Sequence, residues 1–361
     1  MNKNWKDILD AAPRPGIACQ PGEFRVAAVG LDHNHIFGMA QGLTEAGASI
    51  DLVFDPDPAK VQVFQTKFPS AKVAISLDEV LESQDIQLIA CASIPSDRGQ
   101  IATHVLQAGK DFFVDKPPLT TLAQLDSIGK VVENGQRKFL VYFSERLHNE
   151  SATAAAILIE QGAIGRVLQV LGLGPHRLNA ANRPEWFFQR ARYGGILCDI
   201  GSHQIEQFLY FSGSRDARVL SAAIANYHHP ETPELEDFGE ASLVGDNGSS
   251  HYFRVDWFTP DGLSSWGDGR TIILGTEGYI ELRKNVDICR DGGDQVYLVN
   301  SQGEFHFSVS GQLGYPFFGQ LIRDCLERTD KAMTQAHIFK TAELCLKAQE
   351  QAVRLSPYLT S

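Results

Sequence analysis

Three side chains in this sequence have the types and neighbours that proton and carbonyl chemistry need. Lys116 stands in Val114-Asp115-Lys116-Pro117-Pro118, directly after an apolar run. An ammonium at such a place can polarise a carbonyl or stabilise an alkoxide, and a proline fixes how the chain leaves it. Asp199 and His203 stand in Gly194-Gly195-Ile196-Leu197-Cys198-Asp199-Ile200-Gly201-Ser202-His203. If the chain is helical from Asp199, positions i and i+4 share a face and bring a carboxylate beside an imidazole. Such a pair can fix the imidazole tautomer and support its protonated form, as general acid–base work requires. Taken singly, each residue has a plainer reading: a surface lysine before a turn, an N-capping aspartate, a structural histidine.

The elements that must position these groups alternate in the first half. Short β-favouring runs at 24–29, 50–54, 72–74, 86–91, 111–114 and 139–143 are separated by helix-like segments at 37–46, 58–67, 77–83, 96–108 and 120–134. That rhythm predicts βαβ crossovers and a doubly wound parallel sheet, whose strand carboxyl ends face a ligand crevice. Lys116 then sits at the crevice. Beyond residue 145 a helix at 151–161, a strand at 166–173 and a helix at 199–211 lead into longer strands at 218–225, 240–244, 251–258, 271–274, 279–283 and 295–299. Gly- and Asp-containing turns between many of them suit antiparallel pairing. Helices near 316–328 and 335–355 close the chain. The predicted organisation is a leader over 1–23 with a short helix around Trp5 to Leu9, a Rossmann-type domain over 24–143, and an α+β domain over 144–361 with a large, mostly antiparallel sheet.

After the first strand, a dinucleotide fold needs a tight turn that aims helix N–H groups at a pyrophosphate, usually GxGxxG. Gly30-Leu31-Asp32-His33-Asn34-His35 keeps only the first glycine. His33, Asn34 and His35 can donate hydrogen bonds in place of the missing glycines, while Asp32 must turn away from phosphate. Asp55 ends the second strand 20 residues after His35, the usual place for the acid that accepts from ribose hydroxyls. Its charge would repel a 2′-phosphate, so NAD is expected, with Lys60 leaving NADP open. Asp32, His33 and His35 are also metal-ligand types. On so short a loop their side chains diverge, and no metal is expected.

Lys116 and the Asp199/His203 pair, behind a nucleotide-like half, resemble the Gfo/Idh/MocA family: glucose-fructose oxidoreductase, inositol dehydrogenase and their kin. The carriers are Val29-Gly30, Asp55, Ala108-Gly109-Lys110, Asp115-Lys116-Pro117 in place of Glu-Lys-Pro, the segment 194–207, and Leu274-Gly275-Thr276-Glu277-Gly278. Together they span about residues 24–355. The resemblance implies an NAD(P)-dependent dehydrogenase acting on a sugar, cyclitol or related polyol, with Lys116, Asp199 and His203 as catalytic groups. It places the cofactor against Gly30, Asp32, His33, Asn34, His35, Asp55, Ser93, Pro95, Asp115 and Lys116. Ser93-Ile94-Pro95 departs here from the family's usual Thr-Pro-Asn. Association through the second-domain sheet, as a homodimer or homotetramer, is implied as well. From their position, Arg146, His176, Trp186 and Arg190 are candidate substrate contacts, since arginine can bind a hydroxyl pair or carboxylate and Trp186 can stack on a sugar face.

Composition narrows the partners. The 361 residues carry 44 acidic against 32 basic side chains, a formal net charge of −12, which argues against a general nucleic-acid or anionic-membrane binder. No apolar stretch approaches the ~20 residues that a bilayer span takes. The six cysteines form no CxxC or zinc-type spacing, so a cytoplasmic chain with reduced thiols is expected. Two rival functions remain: a nucleotide-sensing regulator without catalysis, motivated by the altered glycine turn, and an NAD-dependent glycosidase.

Overall fold

Six short parallel strands form the first sheet: β1 (Arg25–Val29), β2 (Ser49–Phe54), β3 (Lys72–Val73), β4 (Leu88–Cys91), β5 (Asp111–Asp115) and β6 (Phe139–Tyr142), in the spatial order β3-β2-β1-β4-β5-β6. The central strands are covered on both faces, so β4, β5 and β6 are buried at every position and their middles read as short apolar runs. The computed structural model describes residues 3–356.

The second sheet has nine strands: β7 (Val167–Pro175), β8 (Ala217–Ala225), β9 (Phe238–Gly245), β10 (Ser250–Asp256), β11 (Arg270–Gly275), β12 (Gly278–Arg283), β13 (Gln295–Asn300), β14 (Gly303–Ser308) and β15 (Val353–Arg354). Their order is β14-β13-β12-β11-β7-β10-β9-β8-β15, antiparallel except for β7 with β10 and β8 with β15. Strict alternation of buried and half-buried residues along β9 shows one face packed and one open. The sequence reading missed β14 and β15. The first had a usable signal, Phe305 and Phe307 alternating after Gly303; a two-residue strand has none.

Helix Gly201–Ser212 lies across β7 because that strand carries glycines where it crosses. A Cβ at Gly172 or Gly174 would collide with the side chain of Gln204. This close approach sets the depth of His203, which sits one residue before Gln204. The C-terminal helix Gln335–Gln351 returns to the first sheet, where the Gln335 amide donates to Phe139 O (3.0 Å) and accepts from Phe139 N (3.2 Å) at the β6 edge. The N-terminal segment also packs on its own chain. Trp5 and Leu9, on helix Trp5–Asp10, are buried, and Ala18 N donates to Ala46 O at 2.8 Å.

Candidate active site

β5 delivers Lys116, and the glycine pair delivers Asp199. Gly194 and Gly195 both have φ above +90°, a left-handed conformation that only glycine adopts freely, and the chain then enters the short helix Ile196–Asp199. Buried side chains complete that helix start: Glu236 accepts from Ile196 N (2.8 Å) and Gln349 from Leu197 N (3.0 Å). Helix Gly201–Ser212 follows after Ile200, so the single helix expected from 199 is two pieces with Ile200 in helical geometry between them.

The ammonium of Lys116 donates to Asp199 Oδ1 at 2.6 Å, with both side chains buried. The sequence paired Asp199 with His203, whereas the structure pairs it with Lys116. His203 is 1% exposed, and its Nδ1 is buried with no hydrogen-bond partner. Burial first, then the charges of Lys116, His35 and His176, hold its imidazole well below the usual histidine range, against an opposite pull from Glu145. His203 is therefore neutral at physiological pH.

Glu145 escaped the sequence reading. It lies three residues past β6, on the short helix Ser144–Leu147, and is buried, accepting on Oε2 from Lys284 Nζ (2.9 Å) and Gln204 Nε2 (2.9 Å) while Oε1 has no partner. Burial would raise its pKa, but Lys284, His203 and His176 together hold its carboxyl far below the usual range. A position just past the carboxyl end of a parallel strand was the available signal, the one that singled out Lys116.

His176 joins the same neighbourhood. Burial takes its pKa down to about 4, with Glu145, Lys116 and Asp199 among the charges acting on it. Its ring lies 4.4 Å from Trp266 and 5.5 Å from Trp257. Arg183, also missed, stacks over Phe187 (4.4 Å) and Trp257 (5.1 Å) and feels Asp199. Trp186 is half-buried with its ring 6.0 Å from Phe187.

Two expected substrate contacts are engaged elsewhere. Arg146 stacks over Tyr210 at 3.7 Å and forks onto buried Glu206, with Nε 2.8 Å from Oε1. Arg190 Nε donates to Glu236 at 3.1 Å. Each satisfies a buried carboxylate, which would be costly to leave unpaired, and this is why neither turns to the crevice.

At the nucleotide turn both acids, Asp32 and Asp55, are tied into the fold. Gly30 has φ +63°, and a Cβ there would stand 2.6 Å from Ser93 Cβ, so this first glycine is required twice over. Leu31 N donates to Asp55 Oδ2 (2.6 Å) and Asp57 N to Asp55 Oδ1 (2.9 Å). Asp32 turns away as expected, onto Lys60 Nζ (2.6 Å) and Ile94 N (3.2 Å). Asn34 is exposed at the start of helix His35–Glu45. Pro95 is buried at the start of a 3-10 turn after β4.

His35 and His33 both reach the buried carboxylate of Asp115, with Nδ1 at 2.7 and 3.2 Å from its oxygens. Arg98, fully buried, completes the cluster. Its Nε donates to Ser93 O (2.7 Å), its NH1 to Asp115 O (2.8 Å) and Pro117 O (2.7 Å), and its NH2 to Asp115 Oδ2 (3.2 Å). Burial would raise the Asp115 pKa; His35, His33 and Arg98 override it and hold the carboxyl well below its ordinary value. His33, His35 and Asp115 are of metal-ligand type and lie within 4.8 Å of one another. The Arg98 guanidinium already stands as the cation on that carboxylate, and Lys116 N also donates to Oδ1 at 2.7 Å. A divalent ion would add charge beside charge, so the set fits a scaffold better than a metal centre.

Among the described residues no helix is long and apolar enough to cross a membrane. Residues 24–143 match the model of the oxidoreductase family with an NAD-binding Rossmann fold, and residues 153–281 match the GFO/IDH/MocA C-terminal domain. A crystal structure of a putative oxidoreductase from Erwinia carotovora atroseptica SCRI1043 is 54% identical, with a TM-score of 0.90 over 92% of this chain and all of that one. The D-xylose dehydrogenase of Paenarthrobacter nicotinovorans is 25% identical over 56% of this chain and 52% of its own length. The scyllo-inositol 2-dehydrogenase (NADP(+)) of Bacillus subtilis is 23% identical over 56% and 58%. The chain thus spans about half the length of the curated relatives it matches. Levoglucosan dehydrogenase in complex with NADH shares the fold, with a TM-score of 0.71 at 17% identity over 91% of this chain and 98% of that one. Both halves and the order of their motifs agree, and the chain belongs to the GFO/IDH/MocA oxidoreductase family, with an NAD-binding Rossmann fold as its first half.

Proposed function

We propose that this protein is an NAD-dependent dehydrogenase that oxidises a CH–OH group of a sugar, cyclitol or related polyol, or reduces the matching ketone. The observation that carries it is the buried contact of Lys116 Nζ with Asp199 Oδ1 at 2.6 Å, beside a buried, neutral His203 imidazole whose Nδ1 has no hydrogen-bond partner. The donor set fits a dinucleotide. Gly30 gives the tight turn, Asp55 offers ribose hydroxyls its remaining lone pairs, and His33, Asn34 and His35 stand at the helix start. The carboxylate of Asp55 disfavours a 2′-phosphate, and Lys60, already held by Asp32, does not offset it.

Bound NAD supplies a two-electron hydride acceptor. The chain's own groups handle the oxygen and its proton. His203, neutral because it is buried, takes the hydroxyl proton as the C–H electron pair leaves the same carbon, and a carbonyl remains. Lys116 donates to that oxygen and stabilises its developing charge, a kind of contact typically worth about 2.7–4 kcal/mol of barrier. Asp199 holds the ammonium in place. The rings of His176, Trp257 and Trp266 offer an apolar wall for a sugar face, with Trp186 nearby. A cytoplasmic homo-oligomer built through the open face of the second sheet, where Leu274 and Tyr279 are exposed on paired strands, completes the reading.

Incubation of the protein with NAD and a polyol panel, followed at the reduced-nicotinamide absorbance band, tests the assignment. A rise with one class of polyol is expected. Nucleotide binding with no absorbance change for any substrate would instead mark a regulator. Sugar release from glycosides without net reduction would mark a glycosidase.

A further inference from the structure

We propose that Glu145 is the positioning carboxylate of His203, holding the imidazole proton on Nδ1 so that Nε2 offers its lone pair to the substrate hydroxyl. This assignment rests on the dehydrogenase reading only for the identity of the proton that Nε2 takes. It departs from the simpler expectation, in which Asp199 would orient the histidine four residues on.

Four observations converge. The Asp199 carboxylate is taken by Lys116, at 2.6 Å across 83 residues of sequence. Glu145 Oε1 and His203 Nδ1 are each buried without a hydrogen-bond partner. A buried carboxylate oxygen and a buried ring nitrogen are seldom both left unmatched, and these two, which make no direct hydrogen bond, are most simply an acceptor and a donor joined through one water. Oε2 of Glu145 is clamped by the amide of Gln204, the residue next to His203, so the carboxylate is tied to the turn of helix that carries the imidazole. Lys284, 1% exposed in its side chain, holds the same oxygen at 2.9 Å and keeps Glu145 ionised where burial alone would neutralise it.

The charges facing His203 are Glu145, Lys116, His35 and His176, with Asp199 on the preceding turn; those facing Glu145 are Lys284, His203 and His176. Glu145 is the one acid among the main influences on His203. When His203 accepts the substrate proton, this carboxylate stabilises the imidazolium that forms. The arrangement repeats the general logic of a buried acid that fixes a histidine tautomer without itself taking the proton. Lys284 and Gln204 stand behind it as the groups that orient the acid.

The test uses selectively 15N-histidine-labelled protein, without cofactor, with the His203 signal identified by its loss in His203→Ala. Ring-nitrogen shifts report which nitrogen bears the proton. The wild type is expected to hold the proton on Nδ1. Glu145→Leu is expected to move it to Nε2, while Glu145→Gln, which keeps an acceptor but not the charge, should retain Nδ1–H. Asp199→Asn should leave the His203 tautomer unchanged. Each single Glu145 variant strands the Lys284 ammonium, so Glu145→Leu with Lys284→Met provides a neutral pair that keeps the readout if the single variant does not fold. In turnover, Glu145→Leu should lower kcat by about 10²-fold or more, with KM for NAD changed little and Glu145→Gln intermediate. A wild-type His203 protonated on Nε2, or a tautomer that follows Asp199 rather than Glu145, would overturn the proposal. Because the tautomer is read without substrate, a wrong substrate class would leave this result standing.

Discussion

Two histidine clusters lie within electrostatic reach of one another, and they are built on opposite principles. Around Asp115, His33 and His35 share a carboxylate with Arg98, and the guanidinium goes on to the carbonyls of Ser93, Asp115 and Pro117. Around His203, the imidazole Nδ1 and a Glu145 oxygen are buried and left over. A network whose carboxylate is occupied from within holds the ends of β4 and β5 in register. An unsaturated one stores binding capacity that a substrate hydroxyl and its proton can use. Polar residues of the same types thus serve as scaffold in one place and, on the proposed function, as chemistry in another, and the difference lies in which atoms lack partners.

The largest expected effect falls on the unsaturated side. His203→Ala or Lys116→Met should reduce turnover by about 10²–10⁴-fold, with NAD affinity by fluorescence titration within a few-fold of wild type. His203→Ala should not behave as a global destabilisation, whereas Lys116→Met also strands the buried Asp199 carboxylate and should lower stability as well. The scaffold side should respond the other way. Arg98→Met strands Asp115 in the interior and should cost about 3–5 kcal/mol of stability in chemical denaturation. An Arg98→Met protein as stable as wild type would erase the contrast. Gly30→Ala adds a side chain at φ +63° and 2.6 Å from Ser93, and should lose more than about 1 kcal/mol while weakening nucleotide binding.

The smallest effect is a pH dependence shared by both clusters. His33, His176 and His203 all have folded pKa values below the unfolded histidine value of about 6.5, with His176 at about 4. Between those values the unfolded chain binds more protons, so stability is fully present above about pH 6.5 and falls as pH drops towards 4. Asp115, depressed as a carboxylate, adds its own loss only below the unfolded aspartate value of about 3.9. The thermal midpoint should be lower at pH 5 than at pH 7.5. His176→Phe should flatten that slope slightly. A midpoint that rises on acidification would contradict the burial of neutral imidazoles.

Much of the scaffold was legible because its signals are local. Short apolar runs alternating with helix-like segments mark most strands of the first sheet, and Gly194-Gly195 marks the turn before Asp199. Lys116 and Asp199 were legible as types at crevice positions, and they do meet. Which acid serves which base was not legible, because it is decided by contacts across long separations: Lys284 reaches Glu145 over 139 residues, and Arg146 finds Glu206 over 60. Arg98 looks in the sequence like any charged residue at a helix start. Only the fold shows it buried, with its donors turned to the backbone of the Lys116 loop.

The most direct measurement is hydride tracing. A polyol that turns over, deuterated at its carbinol carbon, is incubated with NAD and the wild-type protein or His203→Ala, and the reduced dinucleotide is analysed by mass spectrometry. Label should appear in the dinucleotide with wild type, and its rate of appearance should fall by at least about 10²-fold in the variant at unchanged NAD binding. Unlabelled dinucleotide with wild type, or equal labelling by the variant, would contradict hydride transfer governed by this imidazole.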